Sequence, residues 1–96
     1  MADIYSEIRL DLRWIADYLE DQRFEYKSYN HGIQFNVKDK NGIIHSFYPT
    51  TGTALFHEKN ERGGKVVTIR NLMLEAFLDY IRDPERIQRV LERRHE

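Results

Sequence analysis

The chain has 96 residues and a mass of 11.6 kDa, carries 15 Lys and Arg against 16 Asp and Glu, and contains no cysteine. This length predicts a single domain over residues 1–96. The lack of cysteine excludes a disulfide scaffold, a Cys-based zinc site and thiol chemistry. A formal net charge of −1 excludes a uniformly basic nucleic-acid coat.

The sequence also predicts where the protein resides. It holds no apolar run close to the roughly 20 residues that a membrane helix needs. The start, Met1-Ala2-Asp3, lacks the basic and apolar regions of a signal peptide. We therefore expect a cytoplasmic protein that does not contact a membrane.

The first predicted element is an amphipathic helix over residues 3–21. Its apolar stripe has steps of three or four residues and consists of Ile4, Ile8, Leu12, Ile15 and Leu19. Leu10 and Trp14 form an i,i+4 pair away from that stripe. This pair either packs under the other helices or forms an exposed patch for a partner or a second copy.

A sheet is predicted next, over residues 24–57, and residues 66–69 are either a fourth short strand or a lead-in to the next helix. Residues 24–28 are either a short strand or an extended connection. Two turn sequences, Asn41-Gly42 and Pro49-Thr50-Thr51-Gly52, separate three clearer strands over Ile33–Val37, Ile43–Tyr48 and Thr53–His57. Tight turns between successive strands predict an antiparallel meander.

Two helices are predicted to follow the sheet. Asn71 is a suitable N-cap for a helix over residues 72–82, and Asp83-Pro84 is a stop-and-restart signal before a helix over 84–94. We therefore predict an α+β fold: a three- to four-stranded antiparallel meander with an N-terminal helix and one or two C-terminal helices packed on one face.

The length of each turn sets which side chains share a face of the sheet. With three-residue loops at both turns, Phe35 faces Phe47, and Phe47 faces Leu55. The same register sets His45 opposite His57. The opposite face then holds Ile44, Tyr48, Ala54 and Phe56. A two-residue first turn would instead group Phe35 with Tyr48. Either register leaves aromatic side chains on both faces, which predicts an aromatic recognition surface on the uncovered face.

Catalytic chemistry has little support in the sequence. A His45–His57 pair could bind a metal or sense pH, but no third ligand is evident, so the pair is expected to be two polar residues flanking an apolar face. Ser46 points away from His45 on a strand. No P-loop, dinucleotide fingerprint or HExxH motif occurs. We expect a non-enzyme with no catalytic residue, no metal site and no cofactor.

A local basic segment indicates an anion partner. Residues 59–70 carry one acid, Glu61, against Lys59, Arg62, Lys65 and Arg70, and they precede a predicted helix N-terminus. The α-β-β-β-α order resembles the double-stranded-RNA-binding domain, whose loop before the last helix is basic. That resemblance implies a nucleic-acid-binding module. The chain lacks that family's Gly-Pro-x-His loop and its Lys-Lys-x-Ala-Lys helix start.

Two further resemblances bear on function. The same topology is similar to HicA-type mRNA interferase toxins, and Asn30-His31-Gly32 is the nearest match to their Gly-Ser-His motif, which implies a role for His31. The string Tyr48-Pro49-Thr50-Thr51-Gly52 resembles a hairpin in small uncharacterised proteins of phages and mobile elements, which implies that setting.

The leading hypothesis is a small non-enzymatic binding protein of phage or mobile-element type that docks a protein partner, such as a host or defence component. Its expected contact residues are Leu10, Trp14, Tyr48 and Phe56. The alternative is a nucleic-acid-binding module, similar to the double-stranded-RNA-binding domain, that uses the basic segment 59–70, and a lesser alternative is a HicA-like mRNA interferase toxin. Both a monomer and a homodimer are open.

Overall fold

The computed structural model describes residues 14–94 of the chain. Its elements in chain order are helix α1 (14–21), strands β1 (Tyr26–Tyr29), β2 (Gln34–Lys38), β3 (Ile44–Tyr48), β4 (Thr53–His57) and β5 (Val66–Ile69), and helices α2 (Leu74–Arg82) and α3 (Pro84–Arg94). A short 3-10 turn, Asn30–Gly32, joins β1 to β2 and contains His31. Leu10 and the predicted helix before residue 14 lie outside the described residues.

The five strands form one sheet in the order β1-β2-β3-β4-β5, and every neighbouring pair is antiparallel. The predicted α+β class and the meander are confirmed, with five strands instead of three or four. The extended connection before β2 forms β1, and the β-branched run at residues 66–69 forms β5. This order has two strands more than the α-β-β-β-α order of the double-stranded-RNA-binding domain.

The turn between β2 and β3 is a three-residue loop. Asp39 donates its N–H to the Ile43 carbonyl at 2.9 Å, and Gly42 donates to the Asp39 carbonyl at 3.0 Å. Gly42 has a φ of 83°, a left-handed value that glycine adopts without strain. This loop sets Phe35 opposite Phe47, which is the first of the two registers that the sequence left open.

The turn between β3 and β4 has four residues, 49–52, instead of the predicted three. Tyr48 pairs with Thr53, and the Gly52 N–H donates to the Tyr48 carbonyl at 2.9 Å. Because side chains alternate between the two faces of a strand, one extra loop residue exchanges the faces on which the β4 side chains lie. The predicted pairing of Phe47 with Leu55 is therefore wrong, because Phe47 lies opposite Ala54.

All three helices pack on the same face of the sheet. The buried apolar side chains of this face and of the helices form one core: Ile15, Leu19, Phe35, Val37, Phe47, Ala54, Phe56, Val67, Phe77, Leu78, Ile81, Ile87 and Leu91. The Phe77 ring is stacked on Phe47 at 4.9 Å and on Phe56 at 5.6 Å between centroids. Burial of each of these phenylalanine side chains stabilises the fold by about 1.5–3 kcal/mol.

The start of α2 differs from the prediction. Residues 71–73 are not helical, because the Leu72 N–H donates to the Gly52 carbonyl at 2.8 Å and ties this segment to the β3–β4 turn. Asn71 has a φ of 58° and does not cap the helix; Met73 occupies the N-cap position without a side-chain hydrogen bond. Helix α3 begins at Pro84, as the Asp83-Pro84 signal predicts.

Candidate functional site

The face of the sheet opposite the helices is defined here as the open face. The register arranges its side chains in three cross-strand rows. The first row is Tyr29, Gln34, Tyr48, Thr53 and Arg70. The middle row is Lys27, Asn36, Ser46, Leu55 and Thr68. The third row is Glu25, Lys38, Ile44, His57 and Val66. Tyr29, Ile44 and Val66 are exposed here, so no described helix covers this face.

A polar network occupies the centre of the open face. The Asn36 Oδ1 atom accepts hydrogen bonds from Gln34 Nε2 at 3.0 Å and from Ser46 Oγ at 2.8 Å. Ser46 is buried by its neighbours. These two bonds fix the orientation of the Asn36 amide at the middle of the sheet.

The segment 58–65, the β4–β5 loop, borders the third row. The Glu58 N–H donates to the Lys65 carbonyl at 2.9 Å and closes the loop. Within it, Asn60 Oδ1 accepts the Ile44 N–H, and Asn60 Nδ2 donates to the Gly42 carbonyl, each at 2.9 Å. The Asn60 side chain therefore holds the loop against the first hairpin through two hydrogen bonds to the hairpin backbone.

Two concavities lie on the open face, one on each side of Ile44 and Asn36, which line both. The larger, about 500 Å³, is bounded by the β4–β5 loop and includes Ser46, His57, Lys59, Arg62 and Val66. The smaller, about 250 Å³, is lined by Glu25, Tyr26, Lys27, Tyr29 and Lys38. The loop thus converts one side of a flat sheet into a shallow cleft with basic walls.

Positive charge is concentrated on this surface. The open face and the β4–β5 loop together carry three acids, Glu25, Glu58 and Glu61, against six basic residues, Lys27, Lys38, Lys59, Arg62, Lys65 and Arg70. The whole chain has a net charge of −1, so the rest of it is net acidic. Within residues 14–94, only Lys38 of these six forms an ion pair, with Glu25.

The predicted basic segment is divided in two by the structure. Lys59, Arg62 and Lys65 lie in the β4–β5 loop, whereas Arg70 follows β5 at the opposite end of that strand. Arg70 falls in the same row as Tyr48, so it still belongs to the open face. It does not precede a helix N-terminus directly, because residues 71–73 intervene.

The predicted protein-contact residues do not form one surface. Tyr48 lies on the open face and is half-buried. Trp14 is 52% exposed but lies on α1, on the other side of the sheet. Phe56 is fully buried, so its prediction as a contact residue is wrong; the four-residue turn places it in the core.

One hydrogen-bond network, which centres on His45 and Asp39, is not predicted by the sequence analysis. His45 Nε2 donates to Asp39 Oδ2 at 2.8 Å, and His45 Nδ1 accepts the His57 N–H at 3.0 Å. Asp39 Oδ1 accepts the N–H groups of Asn41 and Ile43. A signal was present: an aspartate opens the three-residue turn, and an inward-facing histidine follows it on β3.

Burial disfavours the charged imidazole at both histidines. Burial is the largest effect on the pKa of His45 and lowers it, against the opposing effect of the Asp39 carboxylate. Burial lowers the pKa of His57 as well. Both ring nitrogens of His45 are engaged, and its side chain is fully buried. His45 therefore joins the first hairpin to β4 and has no access to a substrate.

Metal-binding clusters and membrane-spanning helices are both absent from residues 14–94. No three His, Asp or Glu side chains in this part of the chain lie close enough together to hold a metal ion. The rings of His45 and His57 lie 6.3 Å apart, and the hydrogen bond between these residues runs through the His57 backbone. None of the described helices is long and apolar enough to span a bilayer.

Comparison with protein-family models, with curated proteins and with solved structures found no match.

Proposed function

We propose that this protein is a non-enzymatic module that binds single-stranded nucleic acid across the open face of its sheet. The concentration of positive charge supports this proposal most directly. Six basic residues lie on the open face and its bordering loop, while the chain as a whole is slightly acidic. A polyanion is the partner that such a surface attracts, since neutralised phosphates release counterions.

The remaining chemistry of the open face favours unpaired bases over a duplex. Tyr29 and Tyr48 lie in one row, two strands and therefore about 10 Å apart. Tyrosine rings on an open sheet can stack on splayed bases, and such stacking contributes about 1–3 kcal/mol per base. The Asn36 network between them supplies hydrogen-bonding groups at the level of the bases.

A protein partner fits this face less well. Lysine is depleted in protein–protein interfaces, and the centre of such an interface is normally apolar. Here the centre is the polar Asn36–Ser46 pair, and lysines lie in two of the three rows.

Fluorescence anisotropy with a labelled thymidine octamer at about 50 mM salt tests the proposal. We expect a dissociation constant of about 1–100 μM, the range of non-specific binding, weakening as salt increases. In the double variant Lys59→Gln/Arg62→Gln, the slope of log affinity against log salt should become shallower by about 1.4, because each lost phosphate contact removes about 0.7.

Arg89→Gln/Arg93→Gln is the matched control, since it removes the same charge from exposed positions of α3. It should retain the salt dependence of the parent protein. Absence of binding at several hundred micromolar protein, or equal losses in the two double variants, would contradict the proposal.

A second candidate is a protein contact through Trp14, one of the contact residues of the leading hypothesis from the sequence. Helices α1 and α2 lie side by side, joined by Tyr18 to Glu75 at one end and by Gln22 to Arg82 at the other. Trp14 is 52% exposed at the first of these ends, and Met73, which precedes α2, is 77% exposed. The chain has one tryptophan, so a concentration-dependent blue shift of its emission, with a doubled mass in sedimentation, would show self-association.

A further inference from the structure

The Asn36 amide stands out within the open face because its orientation is fixed. Its Oδ1 atom already accepts two hydrogen bonds, from Gln34 Nε2 and Ser46 Oγ. With Gln34 oriented as in the structure, turning the Asn36 amide over would set its amino group against the amino group of Gln34. Among the residues that the structure describes, none accepts a hydrogen bond from Asn36 Nδ2. Asn36 therefore presents donors, and no free acceptor, to both concavities.

The walls of the larger concavity suit the base and the phosphate of a nucleotide. Ile44 and Val66 are exposed apolar side chains against which a base can lie. Lys59 and Arg62 are exposed cations on the loop above it and can contact a phosphate. Asn36 lies at the floor, where the edge of a seated base would meet its amino group.

We propose that Asn36 is the specificity-determining residue of this surface and that it selects a base with a carbonyl oxygen, such as thymine or uracil, over adenine, which has none. This inference rests on the proposed function. Thymine and uracil offer carbonyl acceptors to a donor-only amide, whereas adenine has no carbonyl oxygen, and its acceptor nitrogens N1 and N7 both stand beside its amino group, which opposes a second donor. The familiar recognition of adenine by asparagine needs both amide atoms, and the Asn36 oxygen is already occupied.

The test compares octamers of thymidine and of deoxyadenosine by anisotropy, in the parent protein and in Asn36→Asp. The parent protein should bind the thymidine octamer about fivefold or more tightly, the effect of one net hydrogen bond. In Asn36→Asp, a carboxylate oxygen still accepts from Gln34 and Ser46, but the outward group becomes an acceptor. The ratio of the two affinities should fall to one or invert.

Thr68→Asp is the matched control, because it adds the same charge in the same row without touching the Asn36 network. It should weaken both octamers by the same factor and keep the ratio. Self-stacking of the free deoxyadenosine octamer affects the parent protein and the variants equally, so it cancels when their affinity ratios are compared. Asn36→Ala, which removes the donor without adding charge, is the second variant and should bring the ratio to one.

The outcomes separate the inference from the proposed function. If the parent protein binds neither octamer, the proposed function fails, and this inference fails with it. If it binds both equally, or if Asn36→Asp and Asn36→Ala keep the preference for thymidine, the inference is wrong while single-strand binding stands. A thermal unfolding curve of each variant shows that the protein compared is folded.

Discussion

His45 donates its Nε2 hydrogen to Asp39 Oδ2 across 2.8 Å, and both side chains are buried. The second ring nitrogen of His45 accepts a backbone N–H, which requires that nitrogen to be unprotonated. The imidazole is therefore neutral in the folded state, and a proton added at Nδ1 would remove the hydrogen bond to the His57 backbone. The stability of the sheet is thereby linked to pH.

The first prediction concerns that pH dependence. Burial holds the pKa of His45 and of His57 below the ordinary value of about 6.5. The unfolded chain then takes up protons at a higher pH than the folded chain, so protonation favours unfolding. The histidine contribution to stability is complete above about pH 6.5 and is lost as pH falls through the folded-state pKa values. Urea unfolding, followed by circular dichroism, should give a lower free energy of unfolding at pH 5.5 than at pH 7.5.

His45→Gln isolates the contribution of the buried ring. At pH 7.5 the variant should be less stable by about 1–3 kcal/mol, the cost of unsatisfied buried partners. Its free energy of unfolding should depend less steeply on pH than that of the parent protein. His57→Gln should remove a smaller part of the dependence, because the His57 side chain is only half-buried. A His45→Gln protein with the full pH dependence would contradict this assignment.

The second prediction concerns the attachment of the β4–β5 loop. Asn60→Ala removes both side-chain hydrogen bonds, to the Ile44 N–H and to the Gly42 carbonyl, and should lower stability by about 1–3 kcal/mol. Hydrogen exchange at the Ile44 amide should become faster. Glu61→Ala is the neighbouring control, since Glu61 forms no hydrogen bond or ion pair with another described residue, and it should leave that amide protected. Unchanged exchange in Asn60→Ala would show that the loop is held by other contacts.

The third prediction compares two glycines with similar left-handed backbone conformations. Gly42 and Gly52 both have positive φ, at 83° and 68°, so alanine costs about 1–2 kcal/mol at either position. At Gly52 a Cβ would also lie 3.1 Å from the Leu72 carbonyl oxygen, whereas at Gly42 it meets no atom within 4 Å. Gly52→Ala should therefore be the more destabilising of the two in urea unfolding. The reverse order would mean that the β3–β4 turn is not docked on the segment before α2.

The fourth prediction tests the register of β4. Phe56→Ala should lower the free energy of unfolding by about 3–5 kcal/mol, because Phe56 is fully buried against Phe77 and Tyr80. Leu55→Ala, on the open face, should cost about 1 kcal/mol or less. Thermal or urea unfolding measures both. A larger loss at Leu55 would support the three-residue turn instead.

The sequence predicted the first hairpin, because Asn41-Gly42 tolerates the positive φ of a tight turn, but it left two loop lengths open. The three-residue loop found in the structure determines that Phe35 faces Phe47. Pro49 and Gly52 mark the second turn without setting its length. One residue of difference moved Phe56 into the core and Leu55 onto the open face, which no count of apolar residues reveals.

The candidate site was only partly predictable for the same reason. The charge of Lys59, Arg62, Lys65 and Arg70 is visible in the sequence, but their division between a loop and the far end of β5 depends on strand pairing. Predicting the Asn36 network requires the register of the first hairpin and the side-chain geometry of Gln34 and Ser46. The phage or mobile-element setting implied by the Tyr48–Gly52 string stays a prediction.

The most direct test of single-strand binding on the open face is a titration of ¹⁵N-labelled protein with the thymidine octamer, followed by amide chemical shifts. Binding to the open face predicts progressive changes at residues of all three rows and of the loop: Tyr29, Asn36, Ile44, Tyr48, His57, Arg62, Val66 and Arg70. Changes confined to the helix layer around Trp14 and Met73, or no change at millimolar octamer, would contradict it.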